Sequence, residues 1–258
     1  MILDMIAQAT RQRVENSKKA IPPEEMRRLA LGRPVGVLTF EAALNKSGMS
    51  FICEIKRASP SKGVIAEDFP YPDIARDYER AGADAISVLT EPDFFLGSSD
   101  YLREIRNHVG LPLLRKDFVI DDYQLYESKV IGADAVLLIC ALLETETMSD
   151  YLKICDNLGM SALVEAHNAA EVRSALAAGA RIVGVNNRNL KTFEVDLSNG
   201  VNLRPLVPEN MIFVAESGIK TAEDIDILQK AGVDAVLIGE TLMRSGDKKQ
   251  ALRELKGK

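Results

Sequence analysis

The sequence predicts a (β/α)8 barrel, chiefly because one short phrase occurs four times at regular intervals. The four copies begin at residues 81, 131, 178 and 231, and in each a glycine precedes an apolar run that leads to a polar residue. A repeat at a fixed period reports the architecture of a chain. The glycine suits the left-handed position that follows a helix, and the apolar run suits a strand that is buried on both faces.

Another apolar run lies between each pair of copies and one precedes the first, so that the chain contains eight runs. They begin at residues 51, 85, 111, 135, 162, 182, 211 and 235. The mean step of roughly 26 residues accommodates one strand, one helix and two short loops, as in a (β/α)8 barrel. The alternative, a doubly wound open sheet, usually has fewer strands and a Gly-rich nucleotide-binding turn, and this sequence contains neither a GxGxxG nor a Walker A motif.

Residues 1–50 precede the barrel, which occupies residues 51–258, and the two parts form a single domain. The extension predicts one or two helices, with a break at Pro22 and a new helix that starts at Pro23. Apolar spacing predicts linking helices over residues 72–80, 99–108 and 147–158. Asn168 with Glu171 resembles a helix-capping box, and Thr221 with Asp224 is a weaker version of it.

The composition excludes several classes of function. A net charge of −6 argues against nucleic acid as the main partner. No apolar stretch approaches the roughly 18 residues that cross a membrane, and the amino terminus has no signal-peptide core. Three cysteines, an odd number, are typical of reduced core residues in a cytoplasmic protein. We expect a monomer or a weak homo-oligomer.

Polar residues stand at the carboxyl ends of the predicted strands, where barrels of this type carry their active sites. Strand side chains alternate with period two, so each polar residue shares a face with an apolar residue of the barrel interior and points into the mouth. These residues are Glu54, Lys56, Lys116, Glu165, Asn186 and Glu216. The alternative is that they form structural ion pairs, but buried ion pairs are a poor source of stability, which favours a catalytic role.

A second cluster follows strands 7 and 8 and predicts a phosphate site. Small residues in 215–219 and 238–243 leave backbone N–H groups accessible, and a short helix that starts near Glu240 would direct its positive end at an anion. Arg188 and Lys56 would add positive charge. The alternative is that Gly218 and Gly239 only form tight turns.

The remaining residues that could carry chemistry do not indicate a cofactor or a metal site, and we expect neither. The two histidines, His108 and His167, do not have metal-ligand spacing with the cysteines, and no GxSxG motif occurs. His167 follows strand 5 and is expected at the rim, and residues 59–63 are expected to form a mobile loop beside Lys56. Phe95 and its neighbour Phe94 are expected either to pack against the protein or to form part of an aromatic pocket. The sequence therefore indicates acid–base chemistry on a phosphate-bearing molecule by Lys and Glu side chains.

Seven motifs in the expected order resemble the indole-3-glycerol phosphate synthase family. They lie at residues 51–63, 89–98, 113–121, 162–167, 184–190, 214–219 and 237–244. The resemblance implies ring closure, decarboxylation and dehydration of 1-(2-carboxyphenylamino)-1-deoxyribulose 5-phosphate in tryptophan biosynthesis. It implies Lys116 as general acid, Lys56 as the group that holds the anthranilate carboxylate, and Glu165 as base or orienting residue. Glu54, Asn186 and Glu216 would form the supporting polar ring.

The resemblance also implies binding residues for both ends of the substrate. Arg188, Ser217 and the backbone of Gly218, Gly239 and Glu240 would hold the phosphate, with Ser59 as a further contact. Phe95, Phe118 and Leu190 would form a slot for the aromatic ring. Some family members carry serine in place of Glu240, so we expect the Glu240 side chain to turn away from the phosphate. Two alternatives stay open: a lyase that forms a Schiff base at Lys116, and a non-enzymatic partner subunit.

Overall fold

The computed structural model describes residues 2–189 and 191–257, and it confirms the closed parallel barrel. Each strand pairs with its sequence neighbours, and the ring closes where Ser50 pairs with Ala235. The eight barrel strands, β1 to β8 in chain order, are Ser50–Ile55, Ala85–Leu89, Leu113–Lys116, Ala135–Ile139, Ser161–Ala166, Ile182–Asn186, Ile212–Glu216 and Ala235–Ile238.

The helices form the outer layer and the amino-terminal extension. Within the described residues they are α1 Ile2–Ala20, α2 Pro23–Leu31, α3 Thr39–Leu44, α4 Tyr71–Arg80, α5 Pro92–Phe95, α6 Ser99–Arg106, α7 Tyr123–Ile131, α8 Thr145–Leu158, α9 Ala169–Ala178, α10 Ser198–Leu203, α11 Ala222–Lys230, α12 Glu240–Arg244 and α13 Lys248–Leu255. The three predicted linking helices correspond to α4, α6 and α8, with ends that shift by one or two residues. None of the described helices has the length and apolar character needed to span a membrane.

The amino-terminal extension contains three helices, one more than the upper expectation, and it contacts both ends of the barrel. At the bottom, Phe40 and Leu44 of α3 are fully buried in the same apolar cluster as Ile52 of β1. At the mouth, α1 is tied to the segment after β3, because Arg13 forms an ion pair with Asp117 and Lys18 forms one with Asp121. The extension is therefore packed as part of the barrel.

The two predicted capping boxes are both present as caps, but the one predicted as weaker is the complete one. Thr221 and Asp224 form the complete reciprocal box at the start of α11. At α9, the Asn168 side chain accepts from the backbone N–H of Ala170 and of Glu171. The Glu171 carboxylate, however, accepts from the backbone N–H of His167 rather than from that of Asn168. The reciprocal half of the box is thus displaced by one residue.

Residues 59–63 form the turn of a short hairpin that begins just beyond β1. Ala58 and Ser59 pair in antiparallel fashion with Gly63 and Val64. The turn uses a positive φ of 65° at Gly63, which is a conformation that glycine adopts without strain. The loop expected beside Lys56 therefore has paired ends.

Candidate active site

A cavity of about 900 Å³ opens at the carboxyl ends of the strands. Its volume falls in the range of small-molecule binding sites. The predicted site residues that line it are Glu54, Lys56, Ser59, Phe95, Lys116, Phe118, Glu165, Asn186, Arg188, Glu216, Ser217, Gly218, Gly239 and Glu240. Leu190, the remaining predicted residue, lies outside the described residues. The strand-end residues that alternation placed on inward faces, from Glu54 to Glu216, thus line one cavity.

Lys116, at the end of β3, lies between two carboxylates. Its Nζ is 3.3 Å from Oε2 of Glu165 and 3.5 Å from Oε2 of Glu216. Burial alone would lower the pKa of Lys116, but the nearby carboxyl groups, chiefly the Glu165 carboxylate, outweigh it and raise that pKa above its usual value. Lys116 is therefore an ammonium group at neutral pH.

Glu165 and Glu216 are both buried, but their protonation differs. Burial opposes ionisation of both groups. At Glu165 this is outweighed by Lys116 and His167, which hold the pKa of the carboxyl group well below its usual range. At Glu216 burial prevails, and the nearby carboxylates of Glu165 and Glu54 raise its pKa further, against the opposing effect of Lys116. The pair is best described as one carboxylate, Glu165, beside one neutral carboxylic acid, Glu216.

Two glycines allow these carboxyl groups to lie against the strand backbone. A Cβ atom at Gly184 would collide with the Glu216 carboxylate. A Cβ atom at Gly239 would collide with the Glu54 carboxylate and lie 3.0 Å from Nζ of Lys56. Glu54 and Lys56 form an ion pair on the shared face of β1. Gly239 thus has a packing role beside this pair, in addition to the turn that the sequence indicated.

The segment after β7 has an unusual backbone at the predicted phosphate site. Ser217 and Gly218 both have positive φ, 68° and 88°. A non-glycine residue in this region carries strain, and such strain is concentrated at functional sites. The Asn187 side chain helps to hold this conformation, because its Nδ2 donates to the Ser217 carbonyl at 3.1 Å.

The Glu240 side chain lies at the predicted phosphate site, and the expectation that it turns away from a bound phosphate stays a prediction. Its carboxylate lies among three cations, with Nε of Arg244 at 3.1 Å, Nζ of Lys62 at 3.6 Å and an Nη of Arg188 at 3.7 Å. All four side chains line the cavity. These three ion pairs explain the direction of the side chain.

Apolar side chains line the side of the cavity nearest α1. The rings of Phe95 and Phe118 are 5.8 Å apart at an angle of 37°, and both line the cavity. This favours the aromatic pocket over simple packing. Leu3 and Ile6 of α1 also line it, and sequence reasoning missed them because they belong to an ordinary amphipathic helix.

His167 is a second residue that sequence reasoning placed incompletely, at the rim. Its ring packs behind Glu165, with Nε2 3.2 Å from Oε1 of Glu165 and Nδ1 2.9 Å from Oε2 of Glu171. Burial would lower the pKa of His167, but the close carboxylates of Glu165 and Glu171 raise it to about 10. The available signal was Glu171, which lies four residues after His167 in the first turn of α9.

Comparison with known proteins identifies the family. The family model described as indole-3-glycerol phosphate synthase matches residues 3–255. The chain is 59% identical over 261 residues to indole-3-glycerol phosphate synthase from Ruminiclostridium cellulolyticum, and the match covers 100% of this chain and 99% of that protein. It is 58% identical over 257 residues to the synthase from Endomicrobium trichonymphae, with 99% and 100% covered.

Solved structures of much lower identity share the fold. A 3-hexulose-6-phosphate synthase from Salmonella typhimurium superposes with a TM-score of 0.66 at 14% identity, covering 81% of this chain and 97% of that chain. Another 3-hexulose-6-phosphate synthase gives 0.64 at 17% identity, with 81% and 99% covered. At such identities these likenesses concern the barrel alone. The family model and the two relatives agree over nearly the whole chain, and this chain therefore belongs to the indole-3-glycerol phosphate synthase family.

Proposed function

We propose that this chain converts 1-(2-carboxyphenylamino)-1-deoxyribulose 5-phosphate into indole-3-glycerol phosphate, CO2 and water at the carboxyl end of the barrel. The family to which it belongs consists of carbon–carbon lyases of tryptophan biosynthesis. One observation carries the assignment of the site. The ammonium group of Lys116 lies 3.3 Å from Glu165 and 3.5 Å from Glu216 inside the 900 Å³ cavity.

Ring closure requires an aromatic carbon to attack the ribulose carbonyl. Negative charge develops on the carbonyl oxygen, and a fixed ammonium group stabilises it and donates the proton. Lys116 suits this role because its neighbouring carboxylates keep it charged. The aromatic ring of the substrate would pack with Phe95 and Phe118 on one side and the apolar face of α1 on the other.

Loss of CO2 requires that the anthranilate carboxylate be held while it remains ionised. Lys56 lines the cavity and is already paired with Glu54, so its charge is partly balanced before the substrate binds. We assign Lys56 to the carboxylate and, after CO2 leaves, to a second proton donation. Its neighbour Glu54 holds the ammonium group in place.

The final dehydration needs one base and one acid. Glu165 is ionised and can accept a proton, whereas Glu216 is neutral and can donate a hydrogen bond or a proton. Asn186 fixes the backbone between these carboxyl groups and the phosphate site, because its Oδ1 accepts a hydrogen bond from the backbone N–H of Arg188 at 3.0 Å. In this division, Glu165 acts as the base and Glu216 acts as the acid.

The phosphate would bind at the ends of β7 and β8. Arg188 and the hydroxyl of Ser217 supply side-chain contacts, and the backbone N–H groups of Gly218, Gly239 and Glu240 supply the remainder. Ser59, on the hairpin after β1, lines the same cavity. The binding step would also require the Glu240 carboxylate to leave Arg188.

One chain supplies every residue of the proposed site, and this supports activity as a monomer or weak homo-oligomer. The three cysteines of the sequence are unpaired thiols, two of them buried. Free thiols are typical of a reducing compartment, and this supports a cytoplasmic location.

An assay with the ribulose phosphate, followed by indole fluorescence, tests the proposal. The expected result is fluorescence that grows with enzyme concentration. A companion experiment adds borohydride during turnover and weighs the intact protein. A Schiff-base lyase needs an amine with a depressed pKa, and Lys116 has the opposite. We therefore expect no mass increase, and an adduct at Lys116 or Lys56 would establish the lyase mechanism instead. Absence of turnover with no adduct would favour the non-enzymatic alternative.

A further inference from the structure

Each oxygen of the Glu165 carboxylate faces a nitrogen atom of a basic side chain. Oε2 faces the ammonium group of Lys116 at 3.3 Å, and Oε1 faces Nε2 of His167 at 3.2 Å. Lys116 lines the cavity, whereas His167 does not. The two cations therefore differ in that only Lys116 can reach a substrate.

The His167 ring is fixed from its far side as well. Nδ1 lies 2.9 Å from Oε2 of Glu171, and the backbone N–H of His167 donates to the same oxygen at 2.9 Å. The other oxygen of Glu171 accepts from Nδ2 of Asn168 at 2.7 Å. Asn199, on α10, donates to the His167 carbonyl at 3.3 Å. Glu171 is thus itself oriented, and the imidazole has little freedom to turn.

This arrangement decides the protonation of the ring on geometric grounds. Each ring nitrogen faces a carboxylate oxygen, and a carboxylate offers only acceptors. A neutral imidazole would direct one lone pair at an anion, whereas an imidazolium places an N–H at each, as a hydrogen bond at Nδ1 and as a close ionic contact at Nε2. The thiol of Cys140, which donates to the Glu171 carbonyl at 3.5 Å, is a further titratable neighbour, and it is neutral because burial raises its pKa to about 12.

We propose that His167 is a positioning residue: a fixed imidazolium, held by Glu171, that keeps Glu165 ionised and aimed at Lys116 throughout the reaction. The proposal rests on the proposed function for its kinetic part. When Lys116 transfers its proton to the carbonyl oxygen, the amine becomes neutral and Glu165 loses one partner. A buried carboxylate without a cation would take up a proton. His167 supplies a charge that the reaction does not consume, so Glu165 remains a base for dehydration.

The first test is a titration by NMR, which this chain makes simple because it has two histidines. His108 is exposed and serves as the internal control, and a His108→Gln variant assigns the signals. We expect the His167 ring to stay protonated at pH 7.5, well above the ordinary histidine value of about 6.5. Glu171→Gln should lower the midpoint of His167 and leave that of His108 unchanged. A His167 ring that is neutral at pH 7.5 overturns the proposal.

The second test is kinetic and uses His167→Gln, which keeps an N–H donor but removes the charge. We expect kcat to fall roughly 10- to 100-fold, as when an outer partner that orients a reacting ligand is lost, with KM nearly unchanged. The acid limb of the kcat profile should move to higher pH, because Glu165 becomes easier to protonate. The His108→Gln variant should match the wild type. A wild-type pH profile in His167→Gln contradicts the proposal. If the wild-type enzyme does not turn over the ribulose phosphate, the proposed function is wrong, and the NMR titration alone then tests the charge of His167.

Discussion

The two halves of the cavity hold their charges in different surroundings. In the reaction half, defined by Lys116, Glu165 and Glu216, the two carboxylate side chains are 3% and 2% exposed. In the phosphate half, defined by Arg188, Lys62, Glu240 and the backbone of 217–218 and 239–240, Lys62 is 43% and Glu240 30% exposed. The ion pairs have similar lengths in both halves: Lys116 lies 3.3 Å from Glu165, and Glu240 lies 3.6 Å from Lys62 and 3.7 Å from Arg188.

This difference teaches that burial, rather than distance, decides what an ion pair does here. Water and salt screen the exposed charges, so the pairs around Glu240 can be exchanged for a phosphate at low cost. In the reaction half, screening is weak and each charge fixes the protonation of its neighbours. The first arrangement suits binding, and the second suits proton transfer.

The largest expected effect is the loss of turnover in Lys116→Met. This change removes the proposed general acid and leaves Glu165 and Glu216 without their shared cation, and kcat should fall about 10²–10⁴-fold. Single-turnover rates measure it directly. Lys153→Met, on the exposed face of α8, is the matched control and should be neutral. A Lys116→Met rate within about threefold of wild type would remove Lys116 from the chemistry.

Within the reaction half, Glu165→Gln should lower kcat more than Glu216→Gln at neutral pH. Gln replaces an ionised group at residue 165 but resembles the neutral acid at residue 216, so only the first change alters the charge of the site. We expect Glu165→Gln to cost about 10²-fold or more and Glu216→Gln clearly less. Equal losses would mean that Glu216 works as a carboxylate.

In the phosphate half, the expected changes appear in KM rather than in kcat. Arg188→Gln should raise KM roughly 10- to 100-fold, because a charged hydrogen bond to the phosphate is lost. Glu240→Gln should lower KM a few-fold, since it frees Arg188 and Lys62, and the gain should shrink as salt is added. Glu223→Gln is the control with the same change in net charge at an exposed position outside the cavity. A KM for Glu240→Gln above that of wild type would show that the carboxylate helps rather than competes.

The smallest expected effect is on stability. The pKa of Glu216 is raised in the folded chain, so the folded state binds this proton more tightly than the unfolded state. The corresponding stability is complete below the ordinary carboxyl pKa and is lost as pH rises towards the raised value. Glu216→Gln removes this loss. The difference in melting temperature, variant minus wild type, should therefore grow between about pH 5 and about pH 8. A constant difference would show that Glu216 is ionised throughout.

The barrel and the lining of the cavity were predictable because both depend on local periodicity. The repeat located the strands, and alternation placed residues such as Glu54 and Lys116 on inward faces. The remaining features depend on contacts between distant segments. Nothing in the sequence of α1 indicates that Leu3 and Ile6 reach the cavity, and the direction of Glu240 depends on where Arg188 and Lys62 lie in space.

The capping box shows a further limit of sequence reasoning. The pattern Asn168–Glu171 was recognised, but the Glu171 carboxylate binds His167 instead, because that residue carries both a backbone N–H and a ring nitrogen within reach. Asn168 therefore caps the helix as the pattern predicts, whereas Glu171 holds His167. Only the tertiary position of Glu165 reveals why that ring is held.

The closure of the barrel also bears on how the chain must fold during synthesis. Ser50 pairs with Ala235, and Arg13 pairs with Asp117, so the first segments to leave the ribosome find their partners late. Contacts so distant in sequence slow folding, and a partly made chain exposes apolar strands meanwhile. The strand β1 has an unpaired edge until β8 has emerged. A nascent chain stopped before residue 235 should remain sensitive to protease at residues 50–55, whereas one extended past residue 255 should not.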